Sequence, residues 1–99
     1  MLCKYHIGKS AIHGKGVIAS RNIHKGEVVG EAIAWELMGW HVTDMGGFVN
    51  HSLKSNSRLV QDGLAYNLVA TQAIGKGEEI AANYNETPQF VERPHADWQ

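Results

Sequence analysis

Cysteine is nearly absent from this 99-residue chain. Cys3 stands alone, so neither an internal disulfide nor a cysteine-cluster zinc site can form, as suits a reducing compartment. Long apolar runs are missing too: nothing approaches the roughly 18 residues of a spanning helix, and the opening stretch MLCKYHIGKS has no apolar signal-peptide core. A soluble, unexported, intracellular protein is expected, and the N-glycosylation patterns at Asn50-His51-Ser52 and Asn85-Glu86-Thr87 are read as coincidence. Neither sign of charge dominates, with 9 Lys and Arg against 10 Asp and Glu and no basic run. A nucleic-acid or membrane-surface role therefore has no electrostatic footprint, and peptides or small molecules are the better partners. The histidines at positions 6, 13, 24, 41, 51 and 95 are scattered without an i,i+4 pair or HExxH, so no metal site is expected. Ser52 beside His51 is not a hydrolase pair, because adjacent residues rarely meet in that geometry and no G-x-S-x-G elbow exists.

What is present is a repeat. Residues 17–29 (VIASRNIHKGEVV) match residues 68–80 (LVATQAIGKGEEI), with Ala19 against Ala70, Ile23 against Ile74, and Lys25-Gly26-Glu27 against Lys76-Gly77-Glu78. Each copy runs from a short apolar, β-favouring stretch through a polar Lys-Gly turn into a second apolar stretch, which reads as strand, tight turn, strand. Two copies are too few for a solenoid, so they are expected to pack together in one mainly β domain spanning residues 1–99. Between them, residues 30–45 are ambiguous: Ile33, Leu37 and Trp40 fit a helical face, while Ile33, Trp35 and Leu37 alternate as in a strand. Residues 45–57 are rich in Gly, Asn and Ser and read as irregular loop, where sites tend to lie. Residues 85–99 form a tail holding both prolines, Pro88 and Pro94, and the aromatics Phe90 and Trp98. Phe90 at least is expected to fold back onto the body and cap the site.

Each candidate motif has an ordinary reading by itself. His13-Gly14-Lys15-Gly16 is a glycine turn before a strand, and also a place where the main chain can approach a small zwitterion. It lacks the third glycine and helix of a dinucleotide fingerprint. Asn50 and His51 suit a turn or cap. Tyr84 suits a half-buried tyrosine whose hydroxyl is satisfied by a carbonyl. Chance explains badly their occurrence together in one order: GKGVIAS, then FVNHSLKSN, then Gly77-Glu78-Glu79-Ile80, then Tyr84.

In that order, over residues 12–94, the segments resemble the SET-domain family of protein lysine methyltransferases, in particular its very small members such as the small viral SET proteins. The resemblance implies a β-clip fold: several short twisted sheets with a knot-like crossing of the C-terminal segment beneath the NHS loop, bringing Asn50, His51 and Tyr84 into one site. It implies S-adenosylmethionine as cofactor, held by the backbone of His13, Gly14, Lys15 and Gly16, by Asn50 at the amino-acid end and by His51 main-chain groups at the adenine edge. Phe90 is assigned to the adenine cover, with Trp98 as the alternative. Tyr84 is the implied catalytic residue, and Ala82, Leu59 and Trp98 the implied channel walls.

The chain departs from the family pattern at several points. Ala82 stands where Phe or Tyr is frequent, which implies di- or trimethylation of a protein lysine, with histone tails among the substrates. Asn83 replaces a frequent Asp and Ser55 a usual proline, and no zinc-binding segment follows the tyrosine. The substrate-wall insert shrinks to residues 30–45, so substrate reading is expected to be loose or shared with a second subunit in a homodimer. The implied location is cytoplasmic or host nuclear. A catalytically silent peptide- or ligand-binding module, and a small-molecule amine methyltransferase, stand as the alternatives.

Overall fold

The computed structural model describes residues 3–86; the expectations placed on Phe90, on Trp98 and on the tail from residue 87 lie outside the described residues. The chain folds as strands β1 (Tyr5–Lys9), β2 (Lys15–Ala19), β3 (Val28–Glu36), β4 (Gly39–Val42), β5 (Ser57–Asp62), β6 (Ala65–Ala70) and β7 (Glu79–Ile80). They form two antiparallel sheets, ordered β1-β2-β7 and β4-β3-β6-β5. No helix among the described residues is long and apolar enough to cross a membrane.

The repeat organises both sheets. The two strands of one copy do not pair with each other. Instead β2 of the first copy pairs with β7 of the second (Ile18 opposite Glu79), and β3 of the first pairs with β6 of the second (Val28 opposite Val69). The loops between them exchange equivalent hydrogen bonds. Ile23 and Ile74 donate to each other's carbonyls at 2.8 and 2.9 Å, Gly26 N donates to Ala70 O at 2.8 Å, and Gly77 N donates to Ala19 O at 2.8 Å. This is a pseudo-two-fold arrangement in which each unit is completed by the other. Gly26 and Gly77 sit at φ 86° and 90°, which a side chain rarely tolerates. Ile23, Ile74, Val17, Leu68 and Ile80 are almost wholly buried along the contact. Each contributes about 1.5–3 kcal/mol by leaving water.

Residues 30–45 become a hairpin. β3 is paired on both sides, by β4 and β6, which leaves no helical alternative, and the strand alternation of Ile33 and Trp35 prevails. Leu37, counted in both apolar faces at the sequence level, belongs to neither: it lies at the tip with Met38, facing solvent. Beyond β4 the chain turns back through a short 3-10 turn, Gly46–Phe48. A Cβ at Gly46 would overlap the Ala32 carbonyl, so glycine alone lets this loop lie on the bulged part of β3. Thr43 ties the contact, its Oγ1 donating to Glu31 O at 2.7 Å and accepting from Gly46 N at 3.0 Å. Met45 and Val49 are thereby pressed into the core.

After β7 the chain passes between the two limbs of the loop at residues 50–57. Ala82 N donates to Asn50 O at 3.2 Å and Ser52 N to Ala82 O at 3.0 Å; on the other side Asn56 N and Ser57 Oγ donate to Ala81 O at 3.3 and 2.8 Å. Asn56 acts as a surrogate strand, its side-chain amide donating to Glu79 O at 2.8 Å and accepting from Ala81 N at 3.0 Å. The clamp on residues 81 and 82 sets where Tyr84 emerges, in a 3-10 turn at Tyr84–Glu86.

Candidate functional site

Two subsites meet at residues 49–51. The first is a polar corner between the β1–β2 loop and β7. Ser10 Oγ accepts from Ile12 N and His13 N at 2.8 and 3.0 Å and donates to the Glu79 carboxylate at 2.7 Å, which shapes the loop over residues 10–14 and fastens it to β7. The Asn50 amide nitrogen reaches Glu79 Oε2 at 2.9 Å, Ser10 Oγ at 3.0 Å, His13 O at 3.1 Å and Lys15 O at 3.2 Å. An amide has two N–H groups for these four acceptors, so Asn50 alone cannot satisfy all of them at once. Gly14, at φ 50°, has open space where a side chain would be, and a Cβ on Gly16 would meet both Glu79 and Asn50. A nest of backbone carbonyls and a carboxylate is chemically suited to the ammonium end of an amino acid.

The second subsite is a narrow apolar pocket lined by Ile33, Val42, Val49, Leu59, Ala82 and Tyr84, among others. Tyr84 is fixed at two points. Its hydroxyl donates to Val49 O, and its backbone N donates to His51 Nδ1 at 3.1 Å, with the two rings 5.4 Å apart. The His51 imidazole, 7% exposed, is therefore an acceptor that holds the tyrosine's main chain, and in its neutral form the ring proton sits on Nε2. Val49 is extended, with ψ 113°, so successive side chains project oppositely: Val49 toward the pocket and Asn50 toward the polar corner. The acceptor nest and the tyrosine pocket thus lie on the two sides of a single stretch of backbone.

The structure brings together His13, Gly14, Lys15, Gly16 and Asn50 in the first subsite, and Leu59, Ala82 and Tyr84 in the second, with His51 between them. Ser10, Glu79 and Asn56 were not picked out as site residues from the sequence. Glu79 stood inside the quoted GEEI segment and Ser10 before the glycine turn, but nothing local marks their meeting across 69 residues.

No protein-family model matches the chain, and no curated protein sequence matches it. Solved structures do. A Plasmodium falciparum protein classed provisionally as a histone methyltransferase superposes with a TM-score of 0.69 at 21% identity, over 88% of this chain and 97% of that one. The methyltransferase domain of human PR domain-containing protein 2 superposes with a TM-score of 0.65 at 18% identity, over 91% of this chain and 84% of the other. The chain has the fold of these methyltransferase domains, a mainly β SET fold.

Proposed function

We propose that this chain transfers a methyl group from S-adenosylmethionine to the side-chain amine of a lysine in a protein or peptide, with exposed segments such as histone tails as the substrate class. The observation that carries the reading is Tyr84, pinned through Val49 O and His51 Nδ1 at an apolar pocket, with the polar corner of Ser10, Asn50 and Glu79 beginning one residue away on the opposite side of the chain.

The cofactor, when bound, supplies an electrophilic methyl on a sulfonium. His13 and Lys15 carbonyls, Glu79 and Asn50 would hold its amino-acid end. The residues of the chain do the rest. A free lysine near pKa 10.4 is neutral in about one molecule in a few thousand at pH 7. Ile33, Val42, Leu59 and Ala82 exclude water around the amine, which disfavours its charged form. The Tyr84 hydroxyl and Val49 carbonyl orient the amine for in-line approach, and His51 holds Tyr84 in place without touching the reacting atoms. Ala82 brings neither bulk nor a hydroxyl to the pocket, which leaves room for a second and third methyl group.

The test is transfer of labelled methyl to core histones and to a whole-cell extract, with Tyr84→Phe beside the wild type. The mutant is expected to bind cofactor and lose at least about tenfold in transfer, equivalent to about 1.4 kcal/mol. Equal turnover in the two proteins sinks the role of Tyr84. Mass spectra of the product are expected to contain di- and trimethyllysine, and monomethyl product alone after long incubation would overturn the role given to Ala82.

A further inference from the structure

One rung of the clamp on the crossing segment is made by a side chain. Around the parallel bridge between His51 and Ala82 the backbone pairs as a short ladder, with Ala82 N donating to Asn50 O at 3.2 Å and Ser52 N to Ala82 O at 3.0 Å. In a continued parallel ladder the next donor, Tyr84 N, would reach the carbonyl of Ser52. It donates instead to His51 Nδ1 at 3.1 Å. The imidazole thus replaces a backbone carbonyl at the rung that fixes the main chain of Tyr84. The rungs beside it, and the bond that holds the Tyr84 hydroxyl to Val49 O, end on main-chain oxygens.

The replacement changes how the rung responds to protons. A carbonyl oxygen accepts at any ordinary pH, whereas an imidazole nitrogen accepts only through the lone pair of the neutral ring. Protonation makes both ring nitrogens donors, so an N–H then faces the N–H of Tyr84. His51 is 7% exposed and Ala82 beside it 2%, which leaves little access for water to take over the bond. Other titratable groups stand on the elements packed around the ring. Tyr84, its ring 5.4 Å away, and Glu86 belong to the 3-10 turn, and Lys54 to the same loop as His51. Glu79 on β7 is turned toward Ser10 and Asn50, and His13 and Lys15 meet Asn50 through their carbonyls. The imidazole differs from all of these in that its proton enters the Tyr84 main-chain bond itself.

We infer that His51 gates the site by its protonation state: Tyr84 is held for methyl transfer while the imidazole is neutral and loses its main-chain anchor when the ring takes a proton. His51 is then a positioning residue that acts through Tyr84. The effect on catalysis rests on the methyltransferase reading; the titrating rung does not.

Two measurements on the full chain test this. The first is amide exchange by NMR from about pH 8 down to about pH 5, the range in which histidines change charge. The Tyr84 amide is read relative to the Ala82 amide, whose acceptor is the Asn50 carbonyl, so that the general dependence of exchange on pH cancels. The ratio is expected to rise at least about tenfold toward the acid end in the wild type, because the Tyr84 bond opens locally. It is expected to stay level in His51→Asn, whose Oδ1 accepts in place of Nδ1 and takes no proton. The second is the pH dependence of labelled-methyl transfer to a lysine peptide at limiting concentration. Deprotonation of the substrate lysine alone gives the logarithm of the rate a slope of about one against pH, and the gate adds a second proton, so the wild-type slope steepens toward about two at the acid end. The slope for His51→Asn, judged against its own rate at high pH, stays at about one.

A level exchange ratio in the wild type overturns the inference, and so does an acid limb that survives in His51→Asn. If the variant does not fold, the wild-type ratio and slope decide by themselves. A rising ratio with no transfer at any pH keeps the titrating rung and removes the methyltransferase reading. Transfer with an unchanging slope keeps that reading and removes the gate.

Discussion

The two copies of the glycine-turn unit make matching backbone hydrogen bonds and put their side chains to different uses. In the first copy, Glu27 accepts from His24 N at 3.0 Å and pairs with Arg21 at 2.5 Å and Lys4 at 3.2 Å, and the strand that follows is nine residues long. These contacts lower its pKa from 4.5 to about 2, the His24 backbone bond first and the Arg21 and Lys4 bonds after it. In the second copy the strand is two residues long, and Glu79 turns toward Ser10 and Asn50. The chain then runs through Ala82 to Tyr84. One copy is an ionic brace at the start of a central strand, and the other delivers the polar corner and the tyrosine. A shared backbone thus leaves the chemistry free to diverge, because the reciprocal pairing needs only the glycine turns and the buried apolar positions.

The largest expected effect tests the shared part. Ile23→Ala and Ile74→Ala should each cost about 2–5 kcal/mol in denaturant unfolding, because both side chains are 1% exposed and leave cavities at the pseudo-two-fold contact. As the residues are bonded neighbours, the double mutant should lose less than the sum. Full additivity would mean that the copies do not support each other.

Next come the turns. Gly26→Ala and Gly77→Ala meet no atom within 4 Å, so each should cost only the backbone penalty of a positive φ, about 1–2 kcal/mol, and by the same amount in the two copies. A cost confined to Gly77 would show that its turn carries a constraint the first copy lacks.

The smallest effect separates the copies. Because the folded-state pKa of Glu27 lies below its ordinary value, its contribution is present above about pH 4.5 and is lost as the pH falls toward about 2. The ion pairs reach solvent, so the loss is modest and shrinks in salt. Melting temperatures followed across that window should fall further for the wild type than for Glu27→Gln. Parallel curves would remove Glu27 from the brace.

Much of the local architecture was legible in the residues. The apolar stretches around Val17, Val29, Leu68 and Ile80 announced strands, and Gly26 and Gly77 announced turns, since both signals are short-range. The hairpin at residues 30–45 was not, because Ile33, Trp35, Leu37 and Trp40 satisfy two periods at once. Only pairing of β3 on both sides decides between them. The members of the polar corner were partly legible, through the order of their motifs. Ser10 was invisible, because a serine before a glycine turn has no distinguishing neighbour in sequence.

The sequence by itself determined the β content, the duplicated unit with its two obligatory glycines, and the order in which the glycine turn, Asn50-His51 and Tyr84 occur. Tertiary structure alone decided that the copies exchange strands, that Ser10, Asn50 and Glu79 share one corner, and that Val49 and His51 grip Tyr84 from two sides. The reason is physical: a period-two pattern states which face of a strand is buried but not which strand lies beside it. Partners 29 to 69 residues apart, such as those of Glu79, are chosen only when the whole core closes.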